Sequence, residues 1–250
     1  MKFATGMRWA TALVLTSSLL AFAGDKKDKA KAAPPPKIDS GSFGVFIKGQ
    51  RVATETFSVE QIESASVIKS ELKGTAAGDS SWQKAEMEIG SKGDLLSYQW
   101  SQSSGGSLTV FPDNEFLKER TTPNPGAKPA EQAFLLPSST SILDNNFFVH
   151  REVLAWKFLT GACQLAGGDL KCRQEPADFG TLVPQDRISM AVRLEVVGKE
   201  KVTIRGVQRE LLHLNLSGES FAWNLWVDDQ DHFKLIRVAI PADDTEVVRD

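Results

Sequence analysis

Histidine, cysteine and tyrosine are scarce in this chain, with three, two and one copies in 250 residues. That scarcity removes most local chemistry. His150, His213 and His232 have neither the H-x-x-x-H nor the H-E-x-x-H spacing of a zinc site. No G-x-S-x-G elbow presents a serine nucleophile, and no glycine-rich loop is built to cradle phosphate. Asp228, Asp229 and Asp231 lack the glycine and distal glutamate of a calcium loop, so they read as an acidic turn. Lys and Arg are outnumbered by Asp and Glu, for a formal net charge of −3. Such a balance argues against nonspecific nucleic-acid binding, which displaces counterions with dense positive charge. No period of 20–50 residues repeats, so solenoids and propellers are excluded as well. No catalytic residue, metal site or cofactor is expected from these patterns.

What is present begins with a leader. Lys2 and Arg8 precede the uncharged apolar run 10–23, and Ala21-Phe22-Ala23 places small residues where a signal peptidase reads. The run is shorter than the roughly 20 residues that span a bilayer, and no later segment is long and apolar enough to cross one. Residues 1–23 therefore read as a signal peptide and the mature protein as periplasmic or secreted. Removing them takes away Lys2 and Arg8 and no acid, moving the net charge to −5. No cysteine lies near the cleavage point, so no lipid anchor is expected. Residues 24–40, charged and then rich in Ala and Pro, read as a flexible tether because they bury too little apolar surface to offset their ordering entropy.

From residue 41 to 250 the pattern is that of a single antiparallel β domain. Phe43, Val45 and Ile47 alternate before Gly49-Gln50, and Ala85, Met87 and Ile89 face one way against Lys84, Glu86 and Glu88. Leu95–Trp100, Leu108–Phe111 and Glu115–Arg120 continue a meander, and the prolines of 121–131 interrupt it. Later strands are expected at Ile188–Val196, Leu211–Leu216, Phe221–Val227 and, last, Phe233–Ile240, with Gly198-Lys199 as a hairpin turn. One helix is expected over about 142–160. Ser141 and Asp144 have the spacing of a capping box, Gly161 stops the helix, and its apolar residues cover more than one face, as in a buried helix. The fold class is thus mainly β: a single strongly curved antiparallel sheet, an open or half barrel, wrapped around one central helix. Cys163 and Cys172 flank the turn residues Gly167-Gly168-Asp169, and export places them where paired cysteines oxidise, so a disulfide-clasped hairpin is expected.

The aromatics carry the functional expectation. Trp223 and Trp226 point to opposite faces of one strand, because side chains alternate. Either both faces are covered by protein, or a groove lies between sheet and helix. Its expected wall is Phe147, Phe148, Leu154, Trp156 and Phe158 of the helix with Trp100, Trp223 and Trp226 of the sheet.

Phe43–Gln61 (FGVFIKGQRVATETFSVEQ) resembles the opening hairpin of uncharacterised secreted and periplasmic families, and Leu225–Val238 resembles their closing hairpin. Those families look like distant relatives of the LolA/LolB lipoprotein carriers, in which a curved antiparallel sheet wraps a helix-covered apolar cavity. The resemblance implies a non-enzymatic exported protein whose partner is a lipid or a hydrophobic, lipid-modified peptide. Two alternatives stand beside it. One is a cell-envelope interaction or scaffold protein with a fully packed core. The other is a hydrolase with a dispersed site, which requires a histidine, a carboxylate and a serine within hydrogen-bond reach in one cleft.

Overall fold

The computed structural model describes residues 35–166 and 169–250, and the side chains of 165–169 are not described. The expected leader at 1–23, most of the expected tether and the expected turn residues Gly167-Gly168 lie outside the described residues.

Strands β1 (Lys37–Ile47), β2 (Gln50–Ile62), β3 (Ala65–Gly74), β4 (Trp82–Gly90), β5 (Leu95–Gln102), β6 (Ser107–Asp113), β7 (Phe116–Thr122) and β8 (Ala130–Phe134) form an antiparallel meander. A short strand β9 (Ser141–Ile142), helix α1 (Val149–Ala162) and a separate hairpin, β10 (Cys163–Ala166) with β11 (Asp169–Cys172), come next. A second meander follows: β12 (Ala177–Val183), β13 (Ile188–Ile204), β14 (Val207–Ser217), β15 (Ala222–Asp228), β16 (Lys234–Ile240) and β17 (Thr245–Arg249). β17 pairs with β1, so the two meanders fuse into one 15-stranded sheet running from β8 to β1, then from β17 to β12 and β9. All its pairings are antiparallel except β9 with β12.

This order forces curvature. Strands lie about 4.8 Å apart, so a flat sheet would hold its edge strands β8 and β9 roughly 65 Å apart. Seven peptide steps join Phe134 to Ser141, and they span at most about 25 Å. The sheet therefore curls, without closing, and α1 sits in the hollow. The inner face is mostly apolar: Phe43, Val59, Ile68, Tyr98, Val110, Leu117, Leu194, Leu214, Leu225 and Val247 pack around Phe147, Leu154 and Leu159 in one core. A smaller cluster on the outer face gathers Val202, Ile204, Leu211, Trp226 and Ile236.

Several expectations change in detail. The tether ends sooner than residue 40, because β1 begins at Lys37 and Asp39 is buried against Arg249. The helix starts at Val149 rather than near 142 and runs through Gly161 to Ala162. Its N-terminus has no side-chain cap from its own flank. Asp144 is turned into the core instead, bonded to Tyr98 and Gln185 and accepting from the Asn146 N–H at 2.7 Å. Gly198-Lys199 is no turn. Gly198, at a φ of 143°, sits at a register shift inside β13, while Arg205 and Gly206, at φ of 53° and 79°, make the two-residue turn. The shift reverses which face later residues present, so Val192, Leu194 and Val196 face the core while Val202 and Ile204 join the outer cluster. The strand ending at Ile240 is not the last; the five residues of β17 give too short an alternation to read from sequence. Cys163 and Cys172 are opposed across β10–β11 and joined by a disulfide.

Candidate functional site

α1 carries three consecutive ionisable residues, His150, Arg151 and Glu152, and all are buried. Two of them fasten the helix to the sheet. The Arg151 guanidinium lies between the rings of Phe148 and Trp223, at 5.0 and 4.7 Å from their centroids. Its Nη1 donates to the Phe147 carbonyl at 2.6 Å and to that of Asp144. Burial pulls its pKa down to about 10, against the favourable charges of Asp144, Glu55 and Tyr98. Glu152, at the other side, accepts from the Leu235 N–H and from Arg249 Nη1, both at 3.2 Å. Burial, then the neighbouring Asp39, pushes the Glu152 carboxyl well above the usual range. Burial opposes ionisation of Asp39 too, but Glu152 and the Arg249 guanidinium hold its carboxyl below the ordinary value.

The helix N-terminus is closed by Glu55, from β2. Its Oε2 accepts from the Phe148 N–H at 2.6 Å, its Oε1 from the Val149 N–H at 3.2 Å, and Ser70 Oγ donates to Oε1 at 2.7 Å. A carboxylate here meets the orphan N–H groups and the positive end of the helix dipole. Burial nonetheless raises its pKa to about 7.

His150 differs from its neighbours. It is 1 % exposed, and neither ring nitrogen meets a hydrogen-bond partner among the described residues. Tyr98 and Phe147 present their rings to it with centroids 5.7 Å away. Burial, and then the adjacent Arg151, lowers its pKa to about 3, so the imidazole is neutral at physiological pH. A buried polar group without a partner costs about 1–3 kcal/mol.

His150 lines a groove of about 460 Å³ between α1 and β3–β4. Its apolar walls are Met87, Ile89, Leu95, Ile142, Val153, Leu154 and Trp156, and Gln61, Ser66, Thr140 and Ser141 line it as well. His150, Val153, Leu154 and Lys157 follow the i, i+3, i+4, i+7 rule, so they form one stripe along the helix. A side pocket of about 150 Å³ continues the groove past Ile89, Val153 and Trp156 toward Asp39, His232 and Lys234. Lys92 and Lys157 stand where the groove meets solvent. Lys157 Nζ donates to the carbonyls of Ser139 and Gly93, at 2.7 and 3.2 Å, and lies 3.3 Å from Ser141 Oγ. An ammonium with three acceptors for its three protons is a tie between loops, not a base for Ser141.

Of the expected wall, Leu154 and Trp156 line the groove, and Trp156 Nε1 donates to the Phe233 carbonyl at 3.0 Å. Phe147, Phe148 and Phe158 are buried core side chains outside it. Trp223 covers Arg151. Trp226 lies on the outer face, stacked on His213 at 4.8 Å and covered by Arg237 at 4.6 Å. Protein covers that face, so Trp226 is no wall of an inner groove. Trp100 packs on the core and lines a different depression of about 670 Å³, open and rimmed by Lys69, Glu71, Lys84 and Glu86. There Lys84 pairs with Glu71 at 3.3 Å, as expected of a solvated face. Sequence reasoning missed His150 and Val153, although the helical stripe through Leu154 contains both.

The histidines do not assemble a hydrolytic site. His213 bonds Asn224 and Glu200 on the outer face, and His232 bonds Asp231 at an exposed turn. Among the described residues none has both a serine and a carboxylate as hydrogen-bond partners. The acidic turn is charge-paired: Asp228 with Arg209, Asp229 with Lys199 and Asp231 with Lys234. No helix among the described residues is long and apolar enough to cross a membrane.

No protein-family model and no curated protein matches this sequence. Among solved structures the chain is similar to the crystal structure of a β-barrel-like protein, of the domain of unknown function DUF1849, from Brucella abortus. The TM-score is 0.51 at 6 % identity, over 84 % of this chain and 94 % of that one. At that identity the likeness is one of fold: a large curved β-sheet of a kind found in an uncharacterised domain family.

Proposed function

We propose that this is an exported, non-enzymatic protein that binds one apolar chain, such as the acyl chain of a lipid or lipid-modified peptide, in the groove along α1. The observation that carries this reading is the groove itself. Val153, Leu154 and Trp156 face Met87, Ile89 and Leu95 across about 460 Å³, within the range of small-molecule sites. Seven apolar side chains line it, enough to hold an apolar chain, and polar side chains such as Gln61, Ser66, Thr140 and Ser141 complete the lining. The disulfide Cys163–Cys172 accords with an oxidising compartment. The terminal hairpins resemble those of uncharacterised exported families that look like distant relatives of the LolA/LolB carriers, and that resemblance suggests the same kind of site, a helix-covered apolar cavity inside a curved sheet. A scaffold protein would be favoured by solid packing beside the helix, and the groove argues against that alternative.

The test uses purified mature protein and the neutral dye N-phenyl-1-naphthylamine. Saturable one-to-one binding is expected, and Val153→Arg, a half-exposed position on the groove wall, should weaken it at least tenfold with the far-UV spectrum unchanged. Absence of dye binding, or equal binding by V153R, overturns the reading.

A further inference from the structure

We propose that the chain held in the groove carries an uncharged hydroxyl or carbonyl group at its inner end, and that His150 is the residue that bonds it. This rests on the groove reading and specifies its ligand. The groove is lined by an imidazole buried to 1 % exposure with neither nitrogen partnered among the described residues. The other buried ionisable side chains on α1 each keep at least two hydrogen bonds, Arg151 to two carbonyls and Glu152 from Leu235 and Arg249. Arg151 Nε and Nη2 and Glu152 Oε1 lack partners among the described residues, but His150 is the one side chain of the three with none at all, and it lines the groove. A neutral imidazole offers one donor and one acceptor, the complement of a hydroxyl or a carbonyl.

Charge argues against an anion at the same end. Burial keeps His150 neutral near pH 7, and Lys157, two turns and about 10 Å along the helix, already has three oxygens around its ammonium. The remaining cation at the groove, Lys92, is exposed at the mouth. The ligand therefore enters beside Lys92 and Lys157, lays its apolar length along Val153, Leu154 and Trp156, and brings its neutral polar group to His150.

The experiment competes octan-1-ol, octane and octanoate against N-phenyl-1-naphthylamine on wild type, His150→Leu and His150→Asn. The expected result is that H150L weakens octan-1-ol about tenfold while octane is unchanged or strengthened, and that H150N, which keeps a donor and an acceptor, weakens the alcohol less than H150L does. Octanoate should compete less well than the alcohol on wild type. Histidine ¹⁵N spectra of wild type need no variant to fold: octan-1-ol should shift the His150 ring nitrogens and octane should not. Equal factors for alcohol and alkane in H150L, an unmoved His150 signal, or octanoate competing better than the alcohol overturns the inference while leaving the groove reading intact. If the dye and all three probes fail to bind wild type, the groove reading falls and this inference falls with it.

Discussion

Glu55 on β2 accepts a hydrogen bond from the backbone N–H of Phe148, 93 positions further along the chain, at 2.6 Å. That contact replaces a local cap at the start of α1 and fixes the helix against one particular strand. The depth of the helix in the sheet, and so the groove along its His150–Lys157 stripe, depends on a carboxylate whose ionisation burial opposes.

Glu55 makes stability fall as pH rises. Its folded pKa, about 7, lies above the ordinary value of 4.5. The stability it contributes is complete below pH 4.5 and is lost as pH climbs through about 7, some 3 kcal/mol at about 1.4 kcal/mol per unit. Burial raises Asp144 and Glu152 in the same direction, so the variant must be compared with wild type at each pH. Glu55→Gln keeps an acceptor for the helix N–H groups and removes the titration. Urea unfolding from pH 4.5 to 8 should show the difference between E55Q and wild type shifting in favour of E55Q as pH rises. A difference that does not change with pH refutes this account.

The strands were legible because alternation records one buried face, and the cysteine pair was legible from its spacing across a glycine turn sequence. Trp223 and Trp226 fall on opposite faces as the period of two requires, Trp223 packed on the core and Trp226 in the outer cluster. The helix N-terminus was not legible. Ser141 and Asp144 have capping-box spacing, but the core takes Asp144 for Tyr98 and Gln185, and the real cap comes from a distant strand. The groove was only partly legible. A helix apolar on most sides does not reveal which stripe the sheet will leave uncovered: Leu154 and Trp156 line the groove, while Phe147, Phe148 and Phe158 pack in the core. The face reversal at Gly198 was hidden because a bulge and a turn draw on the same residue type.

His150 acts with the opposite sign to Glu55. Its folded pKa, about 3, lies below the ordinary 6.5. Its neutral form supports the fold above pH 6.5, and that support is lost as pH falls from 6.5 toward 3, where only the unfolded chain takes up the proton easily. Between pH 4.5 and 6.5 the two residues oppose each other. His150→Leu should therefore resist acid better than wild type, its relative stability improving steadily below pH 6.5, as read from midpoints of thermal unfolding. H150L losing stability in parallel with wild type on acidification would show that His150 does not bind its proton only on unfolding.

Gly198 is expected to matter more by its presence in the count than by its lack of a side chain. No atom lies within 4 Å of where its Cβ would be, and the only obstacle to a larger residue is the φ of 143°. Gly198→Ala should thus cost about 1–3 kcal/mol, the ordinary penalty for such a backbone conformation. Deleting Gly198 removes the register shift between Val196 and Gly198. β13 must then either turn Val202 and Ile204 away from Trp226 and Leu211 or slip against β14, and each exposes the outer cluster. The deletion should lower the unfolding midpoint far more than G198A and bring Trp226 into contact with water, seen as a red shift of its fluorescence against a W226F control. A deletion variant as stable as G198A would mean that the bulge is not what places those side chains.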